Sequence, residues 1–119
     1  IFITEIGGIG FQMVDISDLE NPSILHTWEL GFSGWFTIQG NYLYVVTTES
    51  VAVVDISDPN TPTLLASYQD NGLFPEINAD DFQIIPVGNF IYVGIRSSGL
   101  AVFYYDVSIV KIFIQSISP

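Results

Sequence analysis

The chain repeats itself. Val14-Asp15-Ile16-Ser17-Asp18 returns 40 residues later as Val54-Asp55-Ile56-Ser57-Asp58, and both copies run on to a proline, Pro22 and Pro62. A weaker third copy, Tyr105-Asp106-Val107-Ser108, follows 51 residues further on. A second marker, Gly40-Asn41-Tyr42-Leu43-Tyr44, recurs as Gly88-Asn89-Phe90-Ile91-Tyr92 at a spacing of 48. A repeat of this length is one supersecondary unit that cannot bury its apolar face alone, so neighbouring units must stack. The extra length of the last copy falls mostly between Asp70 and Asp81.

Within each repeat the segments read as strands. Tyr42 to Thr48 and Val51 to Ile56 are short, β-branched and aromatic. Gly40-Asn41, Asp70-Asn71-Gly72 and Ser98-Gly99 supply turn chemistry between strands. No stretch holds a 3.6-residue apolar period, so no helix of consequence is expected. The pattern predicts eleven strands: Phe2–Glu5, Gly10–Ile16, Ile24–Glu29, Trp35–Gln39, Tyr42–Thr48, Val51–Ile56, Thr63–Tyr68, Phe82–Val87, Phe90–Arg96, Leu100–Asp106 and Val110–Ser116. Four short antiparallel strands per repeat make a propeller-type blade, and eleven strands make about 2.75 of them. The predicted fold is therefore all-β: an incomplete propeller with blade 1 at about 1–30, blade 2 at about 35–69 and blade 3 at about 81–117. An acidic insertion spans 70–81.

The sequence Gly-Asn-Tyr-Leu-Tyr-Val from Gly40, a short turn, then Val-Ala-Val-Val-Asp-Ile-Ser-Asp-Pro from Val51 resembles the LVIVD repeat. The likeness is best over Phe36 to Tyr68, good over Ile9 to Trp28 and partial over Asp81 to Ser108. It implies propeller blades of the kind found in bacterial and archaeal surface and secreted proteins, and says little about activity. The third copy departs from the pattern: after Asp106-Val107-Ser108 it lacks the Asp-Pro and runs straight into Ile109. Propellers close with about four to eight blades, so fewer than three cannot close alone.

Charge narrows the function. Two basic residues, Arg96 and Lys111, face 13 acidic ones, for a net charge of -11. Phosphate contacts need lysines and arginines, so nucleic acid is excluded as a partner, as is electrostatic attachment to an anionic membrane. The uncharged run Leu30 to Thr48 is broken by Gly31, Ser33, Gly34, Gln39, Gly40 and Asn41, which argues against membrane insertion. There is no Cys and one His, which excludes disulfides, thiol catalysis and a multi-histidine metal centre. Few lysines and many Thr, Ser and Tyr point to an extracellular or cell-surface location. Ile1 in place of Met points to a removed leader or a piece of a longer chain.

Several residues are candidates for particular roles. Asp15, Asp55 and Asp106 recur at the repeat motif and read as turn caps, carboxylates accepting backbone N–H bonds where a strand ends. The insertion carries Asp70, Asn71, Glu76, Asp80 and Asp81. With Trp35 these are the candidate partner or ligand contacts. Oxygen-rich loops can hold Ca²⁺, which makes Asp70, Asp80 and Asp81 a candidate calcium site, but the EF-hand spacing is absent and a solvated acidic loop is the plainer reading. No other cofactor is expected. Trp28, Phe32, Trp35 and Phe36 suit packing between sheets, with Trp35 the exception. His26 reads as a hydrogen-bonded structural residue. No Gly-x-Ser-x-Gly elbow is present, and Gly7-Gly8-Ile9-Gly10 is followed by no helix, so neither serine catalysis nor a phosphate cradle is indicated.

An open blade stack exposes strand edges and an apolar face. The apolar segment with Ile109, Val110, Ile112, Phe113 and Ile114 is a candidate inter-subunit strand. The expectation is a non-catalytic structural or interaction protein that assembles with itself as a fibre or ring. The alternative is a fragment of a larger closed propeller that binds a protein or glycan, its partners being the remaining blades of a longer chain. An enzyme using propeller loops comes third, since fold alone does not confer activity.

Overall fold

The computed structural model describes residues 2–7, 10–29, 34–47, 50–69, 82–95, 99–106, 108 and 111–118. These hold eleven strands and no helix: β1 (Phe2–Ile6), β2 (Gly10–Asp15), β3 (Ser23–Glu29), β4 (Trp35–Gln39), β5 (Tyr42–Val46), β6 (Ser50–Asp55), β7 (Thr63–Gln69), β8 (Phe82–Val87), β9 (Phe90–Ile95), β10 (Gly99–Asp106) and β11 (Lys111–Ser118). Consecutive strands pair antiparallel in three meanders, β1-β2-β3, β4-β5-β6-β7 and β8-β9-β10-β11. The third meander includes β11, although its sequence departs most from the repeat.

The loops explain the hairpins. Gln39 pairs with Tyr42 and Val87 with Phe90, which leaves the two-residue loops Gly40-Asn41 and Gly88-Asn89. Gly40 and Gly88 sit at φ 61° and 58°, a region that glycine enters without a Cβ clash. Each meander also carries one register shift, between Met13 and Val14, Val53 and Val54, and Val102 and Phe103. A bulge at the same place in every unit marks a shared kink.

The second and third meanders are linked by one parallel pairing, Lys111 with Ser67, so that β4 to β11 form one eight-stranded sheet. That sheet is folded on itself. Tyr44, Val53 and Ala66 of the second meander share a buried cluster with Ile91, Val93 and Phe103 of the third. On the opposite face Leu43, Val45, Ala52 and Val54 share another with Ile3, Phe11 and Met13 of the first. The three meanders therefore stack face to face as blades. The middle blade is covered on both sides, which is why β5 and β6 are apolar at consecutive positions rather than alternating.

Candidate functional site

Each blade has a near face, toward the preceding blade, and a far face, toward the following one. In the middle blade Leu43 is on the near face and Tyr44 on the far face. Backbone bonds align the units. Ile56 N–H donates to the Asn41 carbonyl at 2.8 Å, and Tyr105 N–H to the Asn89 carbonyl at 3.0 Å. Tyr105 is therefore the counterpart of Ile56, and the pairing of Tyr44 with Val53 matches that of Tyr92 with Val102. The bulge positions give the same alignment.

This alignment shows an uncovered surface. Tyr44 is 2% exposed and its counterpart Tyr92 is 36% exposed; Val51 is 0% exposed and its counterpart Leu100 is 41% exposed. Ile85, Val87 and Phe90 stand exposed on the same far face of the third blade. No charged residue lies in the rows Gln83–Gly94–Leu100, Ile85–Tyr92–Val102 and Val87–Phe90–Tyr104. Sequence reasoning did not single out this face. Its signal was available: Phe90-Ile91-Tyr92-Val93 has apolar residues in both parities, the pattern of a strand buried on both faces.

At one end of the stack the Gly-Asn loops border an open cleft of about 410 Å³, lined by Gln39, Tyr42, Tyr44 and Tyr105. The rings of Tyr44 and Tyr105 meet edge to face at 6.3 Å, and those of Tyr42 and Tyr44 at 6.4 Å. The Tyr105 hydroxyl donates to the Gly88 carbonyl at 3.3 Å. Burial, then the Tyr105 hydroxyl, pushes the Tyr44 phenol well above its usual range. The cleft offers aromatic faces and phenol hydroxyls for contact.

The repeated aspartates form local turns. Ser17, Ser57 and Ser108 N–H donate to Asp15, Asp55 and Asp106 Oδ1 at 2.9, 2.8 and 2.9 Å. The Ser17 backbone N–H and then its hydroxyl lower the Asp15 pKa, while at Asp55 and Asp106 the Ser57 and Ser108 hydroxyls lead and their N–H groups add to them. Asp18 and Asp58 continue the turn in the first two blades, accepting from Glu20 and Asn60 N–H at 3.1 and 3.0 Å. The third copy is offset. β10 has eight residues against six in β6, so Asp106 lies two positions past the counterpart of Asp55, which is Tyr104.

Trp35 is on β4 opposite Val46, half-buried on the far face. Trp28 and Phe36 pack at the junction of blades one and two, where Phe36 meets Phe11 edge to face at 5.3 Å. His26 lies on β3 opposite Met13. Ile112, Phe113 and Ile114 belong to β11, which pairs with β10 along one edge and touches β7 along the other. Asp70, Asn71, Glu76, Asp80, Asp81, Phe32, Ile109 and Val110 lie outside the described residues, as does the calcium site expected among them.

Residues 36–70 match the family model of the LVIVD repeat. Over this stretch the chain is similar to the LVIVD repeat. The match covers the middle blade almost end to end, the third blade reproduces its three hairpins, the first reproduces the last two, and all three share the bulge, so the matched segment sits within a propeller-type repeat module. No curated protein and no solved structure matches the chain.

Proposed function

We propose that this chain is a non-catalytic structural and interaction module that assembles with itself, as a ring or fibre outside the cell, through the faces of its LVIVD-type blades. One observation carries the reading. The middle blade has both faces covered by its neighbours, while on the far face of the third blade Ile85, Val87, Phe90, Tyr92 and Leu100 stand exposed in rows that hold no charged residue. Each large side chain covered on assembly would contribute roughly 1.5–3 kcal/mol. β11 pairs with β10 along one edge and meets β7 only at Lys111–Ser67 along the other, so strand edge and blade faces together support assembly. A non-catalytic role is favoured by a chain with one His and no Cys.

Light scattering of the purified chain over a range of concentration and salt tests this. A mass above 13.2 kDa that rises with salt is expected, and a monomer under every condition refutes it. The tyrosine-lined cleft favours a second reading, a propeller segment that binds a protein or glycan while its far face seats a further blade of a longer chain. Intact mass of the native protein separates the two.

A further inference from the structure

Both internal junctions follow one rule: the far face of one blade meets the near face of the next. A specific pair recurs in them. At the first junction Ile3 on the far face and Ile56 on the near face share a cluster, 5% and 9% exposed. At the second, their counterparts Tyr44 and Tyr105 are 2% and 6% exposed, with rings 6.3 Å apart. The next far-face member is Tyr92. The near-face member of the first blade is Ile16, the repeat counterpart of Ile56. These two are bare, at 36% and 37%. On the first blade's near face Gln12, Val14, Ile24 and Thr27 are uncharged, and Glu29, opposite Gly10 at the end of β3, is the charged residue of that face.

We infer that the Tyr92 face of the third blade docks on the Ile16 face of the first blade of a second copy, so that two chains close a six-bladed ring. The inference rests on the self-assembly reading and adds its surface, direction and number. Head-to-tail contacts close when the rotation allows. One copy supplies three blades, two supply six and three supply nine, and only six lies within the usual four to eight. Half of a six-bladed ring turns through 180°, so the two copies are related by a two-fold axis and both free faces are covered at once.

The test is sedimentation velocity of the full chain with two single variants. The wild type is expected at twice 13.2 kDa, with no larger species as concentration rises. Tyr92→Glu and Ile16→Glu should each weaken the dimer on the order of 100-fold, with unchanged circular dichroism because both side chains already meet solvent. The chain has no native cysteine, so an Ile16→Cys/Tyr92→Cys variant offers a second measurement independent of the charge variants. Oxidation should trap a dimer that runs at twice the chain mass until reduced. Polymers of unlimited length, or a ladder of cross-linked products, would overturn the closed pair and leave self-assembly standing. A monomer throughout would overturn both. Loss of the dimer with Tyr92→Glu but not with Ile16→Glu would mean like faces pair, which overturns the head-to-tail direction.

Discussion

At the scale of single residues, the turns depend on atoms that local sequence specifies. Asp15, Asp55 and Asp106 hold their pKa below the ordinary carboxylate value of 3.8, because folding gives each charged form a hydroxyl and an N–H from a serine two residues on. A carboxylate whose pKa is depressed in the folded state stabilises it fully above the unfolded pKa. That contribution is lost as pH falls through the lower folded value. Thermal unfolding followed from pH 7 downward should therefore show a midpoint that declines as pH falls below the unfolded pKa of about 3.9. Replacing all three aspartates with asparagine should flatten that decline while the turns persist, since an amide oxygen still accepts the serine N–H. Gly88 gives a sharper case. A Cβ there meets nothing within 4 Å, so Gly88→Ala isolates the positive φ; denaturant titration should show a loss of about 1–2 kcal/mol.

At the scale of elements, the blades are specified twice, by turn chemistry and by which faces are apolar. The strand pattern was legible because Gly-Asn and Asp-x-Ser punctuate it, and the third meander's last strand formed despite the lost prolines because Ile112, Phe113 and Ile114 retain strand composition. What the sequence concealed was register. Asp106 keeps its motif and its turn while β10 gains two residues, so matching motif to motif misaligns the blade by two positions. The bonds from Ile56 and Tyr105 to the Gly-Asn loops, with the strand pairing and the bulge positions, reveal the true counterparts. The uncovered face was harder still, because residues such as Tyr44 and Tyr92 are identical in type and differ only in what lies over them. Packing predictions follow from the same geometry. Phe103 is wholly buried between the second and third blades and touches Tyr68 at 5.7 Å between ring centroids. Phe103→Ala should cost about 3–5 kcal/mol in equilibrium unfolding. Amide exchange should be slowest in β5 and β6, the strands with cover on both faces.

At the scale of the whole molecule, charge and shape oppose one another. A chain with net charge -11 repels its own copies, yet its bare faces carry charge only at their ends, at Glu29 on the first blade and in the Asp106–Lys111 row on the third. Screening should then favour assembly. Raising salt from about 0.05 to about 0.5 M shortens the range of repulsion several-fold, and the dissociation constant measured by sedimentation should fall accordingly. An increase would mean that attraction between unlike charges, rather than apolar cover, holds the copies together.

The two residues added to β10 change the relief of the molecule. At roughly 3.3 Å per residue they carry the Asp106 corner about 7 Å beyond the level of its counterparts. The three aspartate corners share a chemistry but stand at two heights. A flat surface laid across that rim would rest on the third blade and bridge over the other two. An antibody against one Asp-x-Ser corner could find all three by composition, yet reach only the tall one without tilting.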